Sequence, residues 1–144
     1  MQFSNSITIR REPPRVFAAL ADPRLIPEWN PAIASARLTT PGTLGRGSRI
    51  AVERVSPRAA SEELEVTELE PPARLQLRGP FGPFQGDLTY QLEAVPEGTR
   101  LTNEVELEAS GPLRIVAPLA AGWVRASVAE NLAVLRRLVE SAIG

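Results

Sequence analysis

The chain contains no cysteine and no histidine. Without cysteine there is no disulfide, no thiolate nucleophile and no sulfur ligand for a metal. Without histidine the commonest general base, the Ser-His-Asp triad and the usual imidazole metal sites are gone. Any catalysis would fall to carboxylates, arginine, the single Tyr90 or positioning alone. The catalytic residues stay unassigned, with Tyr90 and Arg54 as the candidates, and no metal or cofactor is expected. An excess of either charge is also missing: 16 basic residues face 17 acidic ones, a formal charge of -1. Nothing in that balance draws the chain to nucleic acid or to anionic lipid. No apolar run approaches the roughly 20 residues that span a bilayer. The opening MQFSNSITIRR lacks the charged-then-apolar layout of a signal peptide, so the cytoplasm is the expected compartment.

What is present fits a globular domain. At 144 residues, 43% apolar and 23% charged, residues 1–144 are long enough to bury a core and are read as one domain. The longest helical pattern runs from Gly111 to Ile143. Val124, Val128, Leu132, Leu135, Val139 and Ala142 recur there at three- and four-residue spacing, with Arg125, Glu130, Arg136, Arg137 and Glu140 largely opposite. Ser110-Gly111-Pro112 reads as its start. Pro118 predicts a kink or break, and the part after it would be about 35 Å long.

Ahead of this helix the period is two. Phe3, Asn5, Ile7 and Ile9 share one face of a first strand, and Pro13-Pro14 opens a short helix carrying Val16, Phe17 and Leu20. A second short helical turn ends at Trp29. Six further strands are predicted over Ile33 to Leu38, Ser48 to Val55, Ala60 to Leu69, Arg74 to Leu77, Gln85 to Ala94 and Arg100 to Ala109. Short Gly- and Pro-bearing separators favour antiparallel neighbours. In the last strand Leu101, Asn103, Val105 and Leu107 oppose Thr102, Glu104, Glu106 and Glu108. The expected architecture is α+β: a curved antiparallel sheet of about seven strands wrapped on a long C-terminal helix, with two short helices after strand 1.

That order, with ITIRREPPRVFAALADPRLIPEWNP near the N-terminus and VTELEPPARLQLRG at a central hairpin, resembles the START-like helix-grip superfamily. Within it the chain is similar to the small bacterial polyketide cyclase/dehydrase-like (SRPBCC) proteins. The resemblance covers essentially the whole chain. It implies a small hydrophobic or amphipathic ligand, lipid- or polyketide-like, held between sheet and helix. The superfamily also holds polyketide cyclases and chaperone activators, so an enzyme of cyclase or dehydratase type, or an interaction protein working through its outer surface, are the alternatives. A homodimer is left open.

The informative residues for a cavity are polar or aromatic ones on inward faces. Asn103 and Tyr90 share faces with leucines, Arg54 shares parity with Ile50 and Val52, and Ser127 and Asn131 lie along or beside the helix stripe. Each has a plainer reading: Asn131 satisfied by backbone, Tyr90 a core aromatic, Arg54 reaching solvent, Ser127 a spacer. Trp29 and Trp123 either flank an entrance or plug the core ends. GPFGPFQG, with Phe81 and Phe84, reads as a glycine-rich loop, a lid or a plug under a turn. The ligand-binding set is therefore Trp29, Arg54, Phe84, Tyr90, Asn103, Trp123, Ser127 and Asn131. The glutamates Glu62, Glu63, Glu65, Glu68 and Glu70 read as a solvated strand face.

Overall fold

The computed structural model describes residues 1–141. Strand β1 (Gln2–Ile9) leads into helix α1 (Pro13–Leu20), a 3-10 turn (Pro23–Leu25) and the single-turn helix α2 (Ile26–Trp29). There follow β2 (Ile33–Leu38), β3 (Arg49–Arg54), β4 (Ala60–Glu70), β5 (Arg74–Phe81), β6 (Phe84–Val95) and β7 (Gly98–Ala109), then helix α3 (Leu113–Ser141). All pairings are antiparallel and the sheet order is β1-β7-β6-β5-β4-β3-β2. The expected helix-grip α+β architecture is therefore the observed one: a curved seven-stranded sheet, two short helices after strand 1 and a long closing helix.

Local chemistry explains the element boundaries. Pro13 and Pro14 occupy the first turn of α1, where their missing amide hydrogens cost nothing, and Val16, Phe17 and Leu20 turn into the core. Asp22 accepts the Arg24 amide at 3.0 Å and so starts the 3-10 turn. On β7, Leu101, Asn103, Val105 and Leu107 are buried while Glu104, Glu106 and Glu108 face water, as alternation requires. Gly98 and Gly86 mark close approaches: an added Cβ would meet the Ile9 carbonyl at one and the Glu106 carbonyl at the other.

Two expectations about elements are corrected. Strand β5 runs on to Phe81 and β6 starts at Phe84, so the predicted loop GPFGPFQG is a tight hairpin with only Gly82-Pro83 at its tip. Gly82 takes φ 66, the positive value that the first central position of a two-residue II′ turn demands. Pro80, opposite Gln85, lies past the last β4–β5 pair, Glu65 with Arg78, where a missing amide hydrogen breaks no rung. Of the kink or break expected at Pro118, the break is overturned: helix α3 is continuous through it. Pro118 is the sixth helical residue and is exposed, so water can take the one carbonyl it strands, that of Arg114.

The core falls into two unequal parts. Leu132, Leu135 and Val139 of α3 pack with Val16, Phe17, Leu20, Ile26 and the inner faces of β3 to β7. The expected stripe member Ala142 lies outside the described residues. Nearer its start α3 offers mostly small side chains, Ala117, Ala120, Val124 and Val128, to Phe84, Val105 and Leu107. The far end of α3 is also tied by hydrogen bonds. The Arg10 amide donates to the Glu140 carboxylate at 2.8 Å, and the Arg11 guanidinium donates to the Glu140 carbonyl. One end of the helix is clamped, and the other stands over a gap.

Candidate functional site

That gap is a cavity of about 330 Å³. Its ceiling is α3 from Trp123 to Leu132, and its floor is the inner face of β6 and β7, with Leu88, Tyr90, Asn103, Val105 and Leu107. The end of α2 contributes Trp29, and the residues after it Asn30 to Ala32. The end of β3 contributes Arg54, and the β5–β6 hairpin tip contributes Phe81 to Phe84. All eight residues of the sequence-derived set are thus brought to one cavity. Tyr90 and Asn103 are direct cross-strand partners, so one rung of the sheet presents both. The volume lies near the lower end of the roughly 300–1,000 Å³ typical of small-molecule sites.

The polar atoms here are short of partners. Asn103 is 0% exposed; its Nδ2 donates to the Thr89 carbonyl at 3.2 Å, but its Oδ1 is buried with no hydrogen bond. Trp29 is 6% exposed, and its buried Nε1–H also has no acceptor. The Tyr90 hydroxyl, the Ser127 hydroxyl and the Asn131 amide make no side-chain hydrogen bonds among the described residues. Each buried orphan costs about 1–3 kcal/mol unless something fills the vacancy. Native proteins rarely leave such groups without a reason.

Arg54 does not escape to solvent. Its Nε donates to Glu62 Oε1 at 2.9 Å, the two side chains being 12% and 5% exposed, and its Nη1 reaches the Ser56 carbonyl at 3.3 Å. Glu62 Oε2 accepts the Gly82 amide at 2.9 Å. This corrects the reading of Glu62 as one of a solvated row. Glu63 and Glu70 face water, but Glu62 shares inward parity with Leu64 and Val66 and lies opposite Val52. The signal was in the alternation, masked by the density of acidic residues. Glu62 also fixes the hairpin tip, and Phe84 is buried against Val105 and Leu107, so the segment is a braced wall.

Of the two readings left open for Trp123, the structure has the one at the entrance. It is 62% exposed and plugs nothing; it stands at the cavity mouth. It lies one residue off the Val124–Val128 face, about 100° around the helix. Trp29 combines its two readings, being a core residue that also lines the cavity.

Electrostatics limit the chemistry. Burial pushes the Tyr90 phenol well above its ordinary value of 10.0, so it stays protonated and serves as a hydrogen-bond donor rather than a base. Glu62 is occupied by Arg54 and Gly82. Among the described residues no cluster of acidic side chains is arranged to hold a metal ion. A broader groove of about 940 Å³ lies on the other flank of α3, and two of its three cations are engaged by backbone carbonyls. The Met1 amine donates to the Leu107 carbonyl at 2.6 Å and Arg125 to the Ser4 carbonyl at 3.4 Å.

Comparison with known proteins agrees with this architecture. The model of the family described as "Polyketide cyclase / dehydrase and lipid transport" matches residues 1–140. The chain belongs to that family. An uncharacterized protein of Mycobacterium tuberculosis, Rv2574, is 30% identical over 118 residues, covering 78% of this chain and 68% of the relative. In fold it is similar to TTHA0849 from Thermus thermophilus (TM-score 0.78, 20% identity, all of both chains). It is equally similar to a conserved protein from Geobacillus kaustophilus (TM-score 0.78, 16% identity, 96% and 95% covered). At such identities the two structures speak for the fold alone. Family membership narrows the reading to cyclase/dehydrase or lipid-transport chemistry, and the choice between them rests on the site.

Proposed function

We propose that this protein binds a small hydrophobic or amphipathic molecule in the cavity between α3 and the sheet, with Trp29, Arg54, Phe84, Tyr90, Asn103, Trp123, Ser127 and Asn131 as contacts. The observation that carries this is the pair of buried, unpartnered polar atoms, Asn103 Oδ1 and Trp29 Nε1, on residues that line an otherwise largely apolar space. The test is native mass spectrometry of protein purified from its own host, followed by extraction of any released compound. A stoichiometric small molecule is the expected result. A bare mass, together with no thermal shift from a panel of apolar probes, would overturn the reading.

A second reading, a cyclase or dehydratase, draws on one observation: Tyr90 lines the cavity floor directly across from Asn103. Holding a flexible chain in reactive geometry can lower a barrier by roughly 7–11 kcal/mol, leaving only an acid or hydrogen-bond donor to be supplied. Turnover lowered by Tyr90→Phe with binding spared would support it; unchanged turnover would remove Tyr90 from any mechanism.

For the homodimer that the sequence left open, we propose the exposed face of α3. Leu113, Ile115, Val116, Leu119 and Trp123 of α3 are exposed, with Ile115, Leu119 and Trp123 one turn apart along the helix. A second copy docking the same stripe needs no complementary charge, as a two-fold contact allows. Light scattering should show a concentration-dependent dimer that Leu119→Asp abolishes. A monomer at every concentration counts against it.

A further inference from the structure

The ligand-binding proposal leaves open which chemistry the cavity selects, and its polar lining constrains this. Among the described lining residues Arg54 carries the single charge, and the buried Glu62 carboxylate beside it offsets that charge. A ligand carboxylate would have to compete with Glu62 for the guanidinium and be desolvated within reach of a second buried anion, which is strongly unfavourable. A ligand cation would find no free carboxylate, because both Glu62 oxygens are engaged. What is vacant is neutral. Asn103 Oδ1 can only accept, and Trp29 Nε1–H can only donate.

We infer that the cavity selects an uncharged amphiphile bearing both a hydroxyl, which donates to Asn103 Oδ1, and an acceptor oxygen, such as a carbonyl, which takes the Trp29 indole proton. This rests on the binding reading above and adds the ligand class to it. The rest of such a molecule is apolar, matching Phe84, Leu88, Val105, Leu107 and Val128. At about 330 Å³ the cavity is near the small end of ligand sites, a size for a compact ring system rather than a two-chain lipid. Neither orphan atom has surface open to water, so seating such a ligand requires the Asn103 and Trp29 side chains to turn toward it.

Five compounds on one ring frame test this by calorimetry on the full chain: naphthalene, 2-naphthol, 2-acetylnaphthalene, 6-hydroxy-2-acetylnaphthalene and 6-hydroxy-2-naphthoate. The hydroxy-ketone should bind about ten-fold or more tighter than naphthalene, each single group giving part of the gain, and the carboxylate should bind at least about ten-fold weaker than the hydroxy-ketone. Asn103→Leu should erase the preference for the hydroxyl, read as the ratio of 2-naphthol to naphthalene affinity within the same variant. Trp29→Phe should erase the preference for the acetyl group. Equal affinities across the neutral series, or preference for the carboxylate, would overturn the inference while leaving hydrophobic binding intact. No binding of any compound, naphthalene included, would overturn the binding reading itself and the inference with it. The wild-type series decides the matter even where a variant fails to fold.

Discussion

Asn103, Tyr90, Arg54 and Glu62 show how much a single inward polar group settles. Removing one member of the Arg54–Glu62 pair strands the other, and such breaks in buried pairs cost about 3–5 kcal/mol. Arg54→Met should therefore lower unfolding free energy by about that amount in urea titrations, and Arg54→Met with Glu62→Leu should recover most of it. A double variant as unstable as the single one would show that the pair is not the source. Tyr90 allows a clean pH experiment, because the chain has no lysine or cysteine and only this one tyrosine. Its folded pKa is raised, so up to about pH 10 the phenol is neutral in both states and costs nothing. Above that the unfolded chain loses the proton and the folded one keeps it, so stability falls as pH rises, by about 1.4 kcal/mol per unit. Denaturant midpoints between pH 9 and 12 should show this decline, and Tyr90→Phe should flatten it. Equal slopes in the two proteins would contradict the assigned burial. The inward parity of Glu62 was readable from Leu64 and Val66. Its partner was not, because only the fold places the end of β3 and the β5–β6 tip on either side of it.

Helix α3 is two things along one length. Leu135 is fully buried and Leu119 exposed. Leu135→Ala should cost about 2–5 kcal/mol through lost burial and the void left behind, whereas Leu119→Ala should stay within about 0.5 kcal/mol in a monomer. Similar costs at the two positions, measured by urea denaturation, would mean that the early turns of α3 are packed. Strand β6 carries its own sensitive point at Gly86, with φ 158 and the Glu106 carbonyl where a side chain would go. Gly86→Ala is expected to cost at least about 1–3 kcal/mol, with lost protection of β6 and β7 amides in hydrogen exchange. Element existence was legible from period and punctuation. The length of β5 was not, since Gly79 and Pro80 look like breakers. They are tolerated because the β4 pairing has already ended.

For the whole molecule, any ligand that seats only in the folded state adds stability by mass action, about 2.7 kcal/mol at a hundred times its dissociation constant. A saturating neutral hydroxy-ketone should thus raise the melting temperature, and Asn103→Leu should reduce that rise while changing the unliganded protein by less than about 1.5 kcal/mol, since it removes one hydrogen bond and one orphan together. The sequence alone determined the element order, the antiparallel sheet and the apolar stripe of α3, and it named eight of the residues that come to line the cavity. Those follow from alternation at two and from three- and four-residue spacing, which act locally and are written residue by residue. The tertiary structure decided what lies across from what. It showed that the space under α3 stays open because its early turns offer alanines and valines to β6 and β7. It turned Trp123 outward and joined Arg54 to Glu62 and the hairpin tip. It left Asn103 Oδ1 and Trp29 Nε1 without partners. These are distances between residues far apart in the chain, and no local pattern encodes them.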